Sequence, residues 1–233
     1  MTQDASIHRW TSIHSSILLV IGALILASAG TTVELALVAA AAVAGASSFG
    51  VLMGMQGRSG ISIPNIISLL RLVLVLLAVL LLLTGEEPGY PVFVVLAAAG
   101  LSDLFDGIAA RRLGGTGFGA KLDMELDAFF IYMLAVYAHV FYAREGWVLV
   151  AGLLRYGYVF VLLLLPEPDE FPRIVQLLSK GGCALAAIAL IVVTAPLTGN
   201  QVRTMLSLFA VIVLCVSFFL DFVLRLVLRR DSG

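Results

Sequence analysis

Four aspartates, Asp103, Asp106, Asp123 and Asp127, stand close together in the stretch DLFDGIAARRLGGTGFGAKLDMELD at 103–127. At about 100° per helical residue, Asp103, Asp106, Gly107, Ala110 and Arg111 share an arc of roughly 140°. The same spacing puts Gly119, Asp123 and Asp127 on one face of a second helix. A short Gly-rich turn between the two makes them antiparallel neighbours and predicts that the four carboxylates converge. Converging carboxylates repel and raise one another's pKa, so such a cluster calls for a divalent cation. Oxygen donors suit Mg²⁺, Mn²⁺ or Ca²⁺ rather than zinc. The plain alternative is that the acids pair with Arg111, Arg112 and Lys121. Three bases cannot neutralise four acids, and Glu125 adds a fifth.

The small residues extend this chemistry. Gly107 and Ala110 leave a groove beside the carboxylates, where a bulky group can approach the backbone. Small residues one turn apart also serve helix–helix packing. Next to two acids and an arginine, a metal-bridged diphosphate is the better occupant, with Arg111 giving a charge-assisted bond to phosphate.

The elements that must position these groups are membrane helices. Of 233 residues, 61% are apolar and 12% charged, about half the charge a soluble domain carries. Mean hydropathy is +1.08. Apolar runs such as Ile66–Thr84, interrupted by Arg71, are long enough to cross a ~30 Å hydrocarbon core. Hydropathy predicts eight spans, near 13–29, 33–53, 63–83, 90–110, 121–142, 147–165, 177–196 and 203–226, all helical because lipid cannot satisfy backbone polar groups. Ile17–Leu26 followed by Ala27-Ser28-Ala29 has the look of a secretory signal. Asp4, the single Arg9 and the hydrophobic run that follows favour a helical hairpin. With eight spans, one side receives Arg9, Arg58, Arg111, Arg112, Lys121, Arg173, Lys180, Arg225, Arg229 and Arg230, and the other only Arg144 and Arg203. The positive-inside rule then makes both termini and the 111–121 loop cytoplasmic.

Asp103-x2-Asp106-Gly107-x2-Ala110-Arg111 followed by Gly119-x3-Asp123-x3-Asp127 resembles the complete signature of the CDP-alcohol phosphatidyltransferases. Ile63-Pro64-Asn65-Ile66 with Arg71 is similar to the start of that family's first core helix. The resemblance implies an all-α, polytopic transmembrane bundle: a six-helix core at 60–228, an added N-terminal helical hairpin at 1–59 and a short tail at 229–233. It implies transfer of a phosphatidyl or other substituted phosphoryl group from a CDP-alcohol to a hydroxyl, with release of CMP. It further implies two Mg²⁺ or Mn²⁺ ions held by Asp103, Asp106 and Asp123 with help from Asp127, which doubles as the base. Asp103, Gly107, Ala110, Arg111 and Gly119 would line the CDP portion. CDP-diacylglycerol with a small polar acceptor is the first choice, and a diacylglycerol acceptor with a CDP-linked aminoalcohol the second. Family members that make phosphatidylglycerol phosphate commonly have Pro and Lys after the third and fourth Asp; Met124 and Ala128 stand there, which puts that acceptor in doubt. A homodimer in the membrane follows by resemblance, with no nucleic-acid partner.

Other residues divide between structure and function. Arg155, inside the sixth span, either pairs across helices or serves an anionic acceptor subsite, with Arg173 and Lys180 as weaker candidates for the same subsite. Arg71 faces the same choice and reads as structural. Asp221 and Arg225 suit a local ion pair. Cys183 and Cys215 read as small buried side chains, and His8, His14 and His139 as surface or interfacial. An intramembrane prenyltransferase would carry two separated Asp-rich motifs. A cation transporter would spread its acids along several helices. A family member that binds without catalysis would not need the intact signature.

Overall fold

The computed structural model describes residues 3–28, 31–54, 63–84, 89–113, 117–143, 145–162 and 173–231; within these, side chains are described except at 3–5, 31, 63–64, 103–113, 143, 173–180 and 228–231. The described residues form eight α-helices and no strand: α1 (Gln3–Ala27), α2 (Thr31–Gly54), α3 (Ile63–Leu83), α4 (Tyr90–Leu113), α5 (Gly117–Ala138), α6 (Val148–Leu162), α7 (Arg173–Val193) and α8 (Asn200–Asp231). A π-helical turn, His139–Ala143, ends α5. Each helix matches one of the eight expected spans. Among the described residues, five carry apolar stretches long enough to cross a bilayer. Leu208, Ile212, Val216 and Phe219 of α8 face outward, as a lipid-facing helix requires. This is an integral membrane protein built as a helical bundle. α8 continues through 229–231, residues expected to form a tail.

At the centre lies α5, which packs against α2, α3, α6 and α7. Every residue from Ala128 to Ala138 is buried, so the helix carrying Asp123 and Asp127 is held on all sides over its apolar length. Its contact with α6 is close because Gly152 has no side chain: a Cβ there would lie 2.8 Å from Tyr132 Cα and 3.2 Å from Ala135 Cβ. Small residues let membrane helices approach in this way. Gly152→Ala is expected to push α6 off α5 and cost about 1–3 kcal/mol, as overpacking does. A thermal-unfolding midpoint unchanged from the parent would contradict that.

The N-terminal hairpin is part of this packing. Ile7, Trp10, His14, Leu18 and Ile25 recur at helical spacing on the buried face of α1. α1 packs on α2 and α6, and α2 on α3 and α5. His14 stacks on Trp10 at 4.9 Å between ring centroids and meets Phe49 of α2 at 5.3 Å and Tyr156 of α6 at 5.7 Å. Phe129 of α5 closes on Phe49 at 5.6 Å. His14 is therefore a core aromatic (1% exposed), and His139 is buried too; only His8 is at the surface as expected. Helical register explains both corrections, since a lone histidine in an apolar run gives no sign of the face it occupies. Cys215 likewise departs from expectation: it is exposed, beside the outward-facing Val216, and Cys183 is half-buried.

Candidate active site

Asp123 and Asp127 lie one turn apart on α5, with side chains 39% and 38% exposed, so both carboxylates are open to a ligand. α3 supplies partners to both. Arg71 Nη1 donates to Asp127 Oδ1, and Arg71 Nη2 lies 3.7 Å from Asp123 Oδ1. Ser68 Oγ donates to the same Asp123 oxygen at 3.4 Å. Arg71 is 1% exposed, and a guanidinium at that depth is tolerable only when paired. Its two carboxylates lie more than 50 positions along the chain from it, which is why the sequence marked Arg71 as a choice between roles without showing its partners. The available signal was the recurrence of Asn65, Ser68 and Arg71 at every third position of an otherwise apolar helix.

Glu125 sits between these aspartates in sequence but about 160° from each around the helix. It is buried and accepts a 2.8 Å bond from Arg155 Nη2 of α6. The anticipated fifth acid therefore does not join the acidic face; it neutralises Arg155 on the far side of α5. Arg155 is thus the cation of an ion pair within the bundle. Tyr158 Oη donates to Asp221 Oδ2 at 2.5 Å and Arg225 Nε donates to the same oxygen at 3.0 Å, fastening α6 to α8. The Asp221–Arg225 pair is the local one expected.

Gly119 lies in the first turn of α5, two turns before Asp127. Asp103, Asp106, Gly107, Ala110 and Arg111 fall on the helical backbone of α4, and their side chains lie outside the described residues, as do those of Arg173 and Lys180 on α7. α3 packs on both α4 and α5, so it bridges the two helices that bear the signature. Among the described residues no group of three His, Cys, Asp or Glu side chains is poised to hold a metal; two of the four expected ligands are among them. Those two suit a divalent ion: neighbouring oxygen donors, both accessible, faced by a guanidinium that balances one of their two charges.

The chain belongs to the CDP-alcohol phosphatidyltransferase family, whose family model matches residues 61–223, from the start of α3 to the last turns of α8. No curated protein and no solved structure matches it. Membership makes the chain a CDP-alcohol phosphotransferase in general terms, with a CDP-alcohol donor and an alcohol acceptor, in a family that is generally dependent on divalent metal.

Proposed function

We propose that this enzyme transfers the phosphatidyl group of CDP-diacylglycerol to the hydroxyl of a small polar alcohol and releases CMP. The observation that carries the proposal is the pair of open carboxylates, Asp123 and Asp127, on the buried central helix. Asp103, Asp106 and Asp123, with Asp127, would hold two Mg²⁺ or Mn²⁺ ions. When bound, the ions supply the charge neutralisation that lets a diphosphate approach an acidic face and CMP depart as an anion. Gly107, Ala110, Arg111 and Gly119, with Asp103, line the CDP portion. Asp127 takes the proton of the acceptor hydroxyl as its oxygen bonds to the phosphatidyl phosphorus. The bond from that phosphorus to the bridging oxygen breaks, and the electron pair leaves with CMP.

The acceptor side rests on Arg173 and Lys180. Arg155 belongs with them only if it can exchange Glu125 for an acceptor phosphate. The site faces the cytoplasm with both termini, as the distribution of Lys and Arg indicates, and the enzyme works as a homodimer. A diacylglycerol acceptor with a CDP-linked aminoalcohol is the second reading.

The test is CMP release in membranes holding the protein, with labelled CDP-diacylglycerol and a panel of alcohols including glycerol 3-phosphate, inositol and serine. Release with at least one acceptor supports the proposal. It is expected to fall to background on chelation and to return with Mg²⁺ or Mn²⁺. Metal-independent release, or none with any alcohol while a CDP-aminoalcohol and diacylglycerol give product, would overturn it.

A further inference from the structure

The N-terminal part of α3 carries three polar side chains in an otherwise apolar helix, Asn65, Ser68 and Arg71, and all three are buried, at 2%, 3% and 1% exposure. They advance along α3 in step with α5: Ser68 reaches Asp123 and Arg71 reaches Asp127. This stepwise pairing means that α3 and α5 run parallel here, and it brings Asn65 to the level of Gly119.

Arg71 differs from the other intramembrane arginine in a way that separates function from packing. Arg155 meets one buried carboxylate on a face of α5 turned from the site. Arg71 spans two carboxylates, both more than a third exposed and both signature positions. A packing role needs one partner and no opening. The planar guanidinium bonds Asp127 and brings Nη2 within 3.7 Å of Asp123 Oδ1, so it orients the first carboxylate and holds the charge of the second close to it.

We propose that Arg71, assisted by Ser68, is a positioning residue for the transfer reaction. It holds the Asp127 carboxylate in the orientation from which it receives the hydroxyl proton and sets the spacing of Asp127 from Asp123. Ser68 fixes the second carboxylate from one turn away. The inference rests on the reading of Asp127 as the base.

The experiment compares Arg71→Gln, Arg71→Lys, Ser68→Ala and the Ser68→Ala/Arg71→Gln double variant in the full-length protein, using CDP-diacylglycerol and the best acceptor of the panel. Arg71→Gln is expected to lower kcat about 100-fold, the scale of a misplaced reacting group, with less than about threefold change in KM for CDP-diacylglycerol. Arg71→Lys keeps the charge without the fork and should lose about tenfold. Ser68→Ala should lose less than about fivefold and add nothing to Arg71→Gln, because both act through the same carboxylates. A second readout needs neither metal nor substrate: the infrared carboxylate stretch that disappears in Asp127→Asn should shift in Arg71→Gln and return part-way in Arg71→Lys. If Arg71→Gln does not fold, the Lys and Ala variants carry the test by the same readouts. Arg71→Gln with kcat within twofold of the parent, or Arg71→Lys as impaired as Arg71→Gln with the infrared band unmoved in both, overturns the proposal. Full turnover by Asp127→Asn would defeat the underlying reading instead. An inactive Asp127→Asn beside a fully active Arg71→Gln defeats the positioning role alone.

Discussion

Asp127→Asn is expected to abolish CMP release, with turnover lower by about 1,000-fold, within the range that a general base contributes. Asparagine keeps the shape of the side chain and an oxygen that can accept the Arg71 bond, so α5 should stay in place. What is lost is the negative charge and the ability to take a proton. The measurement is single-turnover CMP release beside a thermal-unfolding scan. Asp123, 3.7 Å from Arg71 Nη2, still balances the guanidinium, so the midpoint should fall by less than the loss of a sole partner would cause, while the rate collapses. Asp106→Asn should be inactive as well, as a ligand of the proposed ions. Undiminished turnover in either variant would remove the roles assigned to both.

Arg155→Met is expected to give the largest change in stability. It leaves Glu125 charged and unpaired inside the bundle, where its side chain is 4% exposed. Removing one partner of a buried pair costs about 3–5 kcal/mol. For a chain of this size that is a fall of about 6–20 °C in the unfolding midpoint. Removing both charges, in Glu125→Leu/Arg155→Met, should restore most of it, because an apolar pair carries no such penalty. The double variant also decides the role of Arg155. An acceptor KM within about threefold of the parent assigns Arg155 to packing, whereas a rise of tenfold or more in the stable double variant assigns it to the acceptor subsite. A single Arg155→Met variant as stable as the parent would contradict the ion pair itself.

Much of the architecture could be read from the chain because it depends on local quantities. The eight helices follow from apolar run length and from the Gly and Pro breaks between runs. The placement of Gly119, Asp123 and Asp127 on one face follows from 100° per residue. Partnership is not local. Arg71 and Arg155 looked alike, each a cation alone in an apolar run, yet one meets the acidic face and the other meets Glu125. Helical geometry already placed Glu125 away from Asp123 and Asp127; counting it with their charge ignored that angle. His14 was misread because only the fold shows that Trp10, Phe49 and Tyr156 surround it. The hairpin α1–α2 lies outside the span matched by the family, and its packing on α5 and α6 depends on long-range contacts that hydropathy does not contain.

In the proposed site, Asp103 and Asp106 of α4 and Asp123 and Asp127 of α5 bind divalent ions together with a nucleotide diphosphate. The most direct test is Mn²⁺ binding to the purified protein, followed by electron paramagnetic resonance with and without CDP. CDP is expected to tighten Mn²⁺ binding by about tenfold or more through their shared site, and Asp106→Asn and Asp123→Asn to abolish this coupling. Mn²⁺ binding that is indifferent to CDP, or coupling that survives both substitutions, would contradict it.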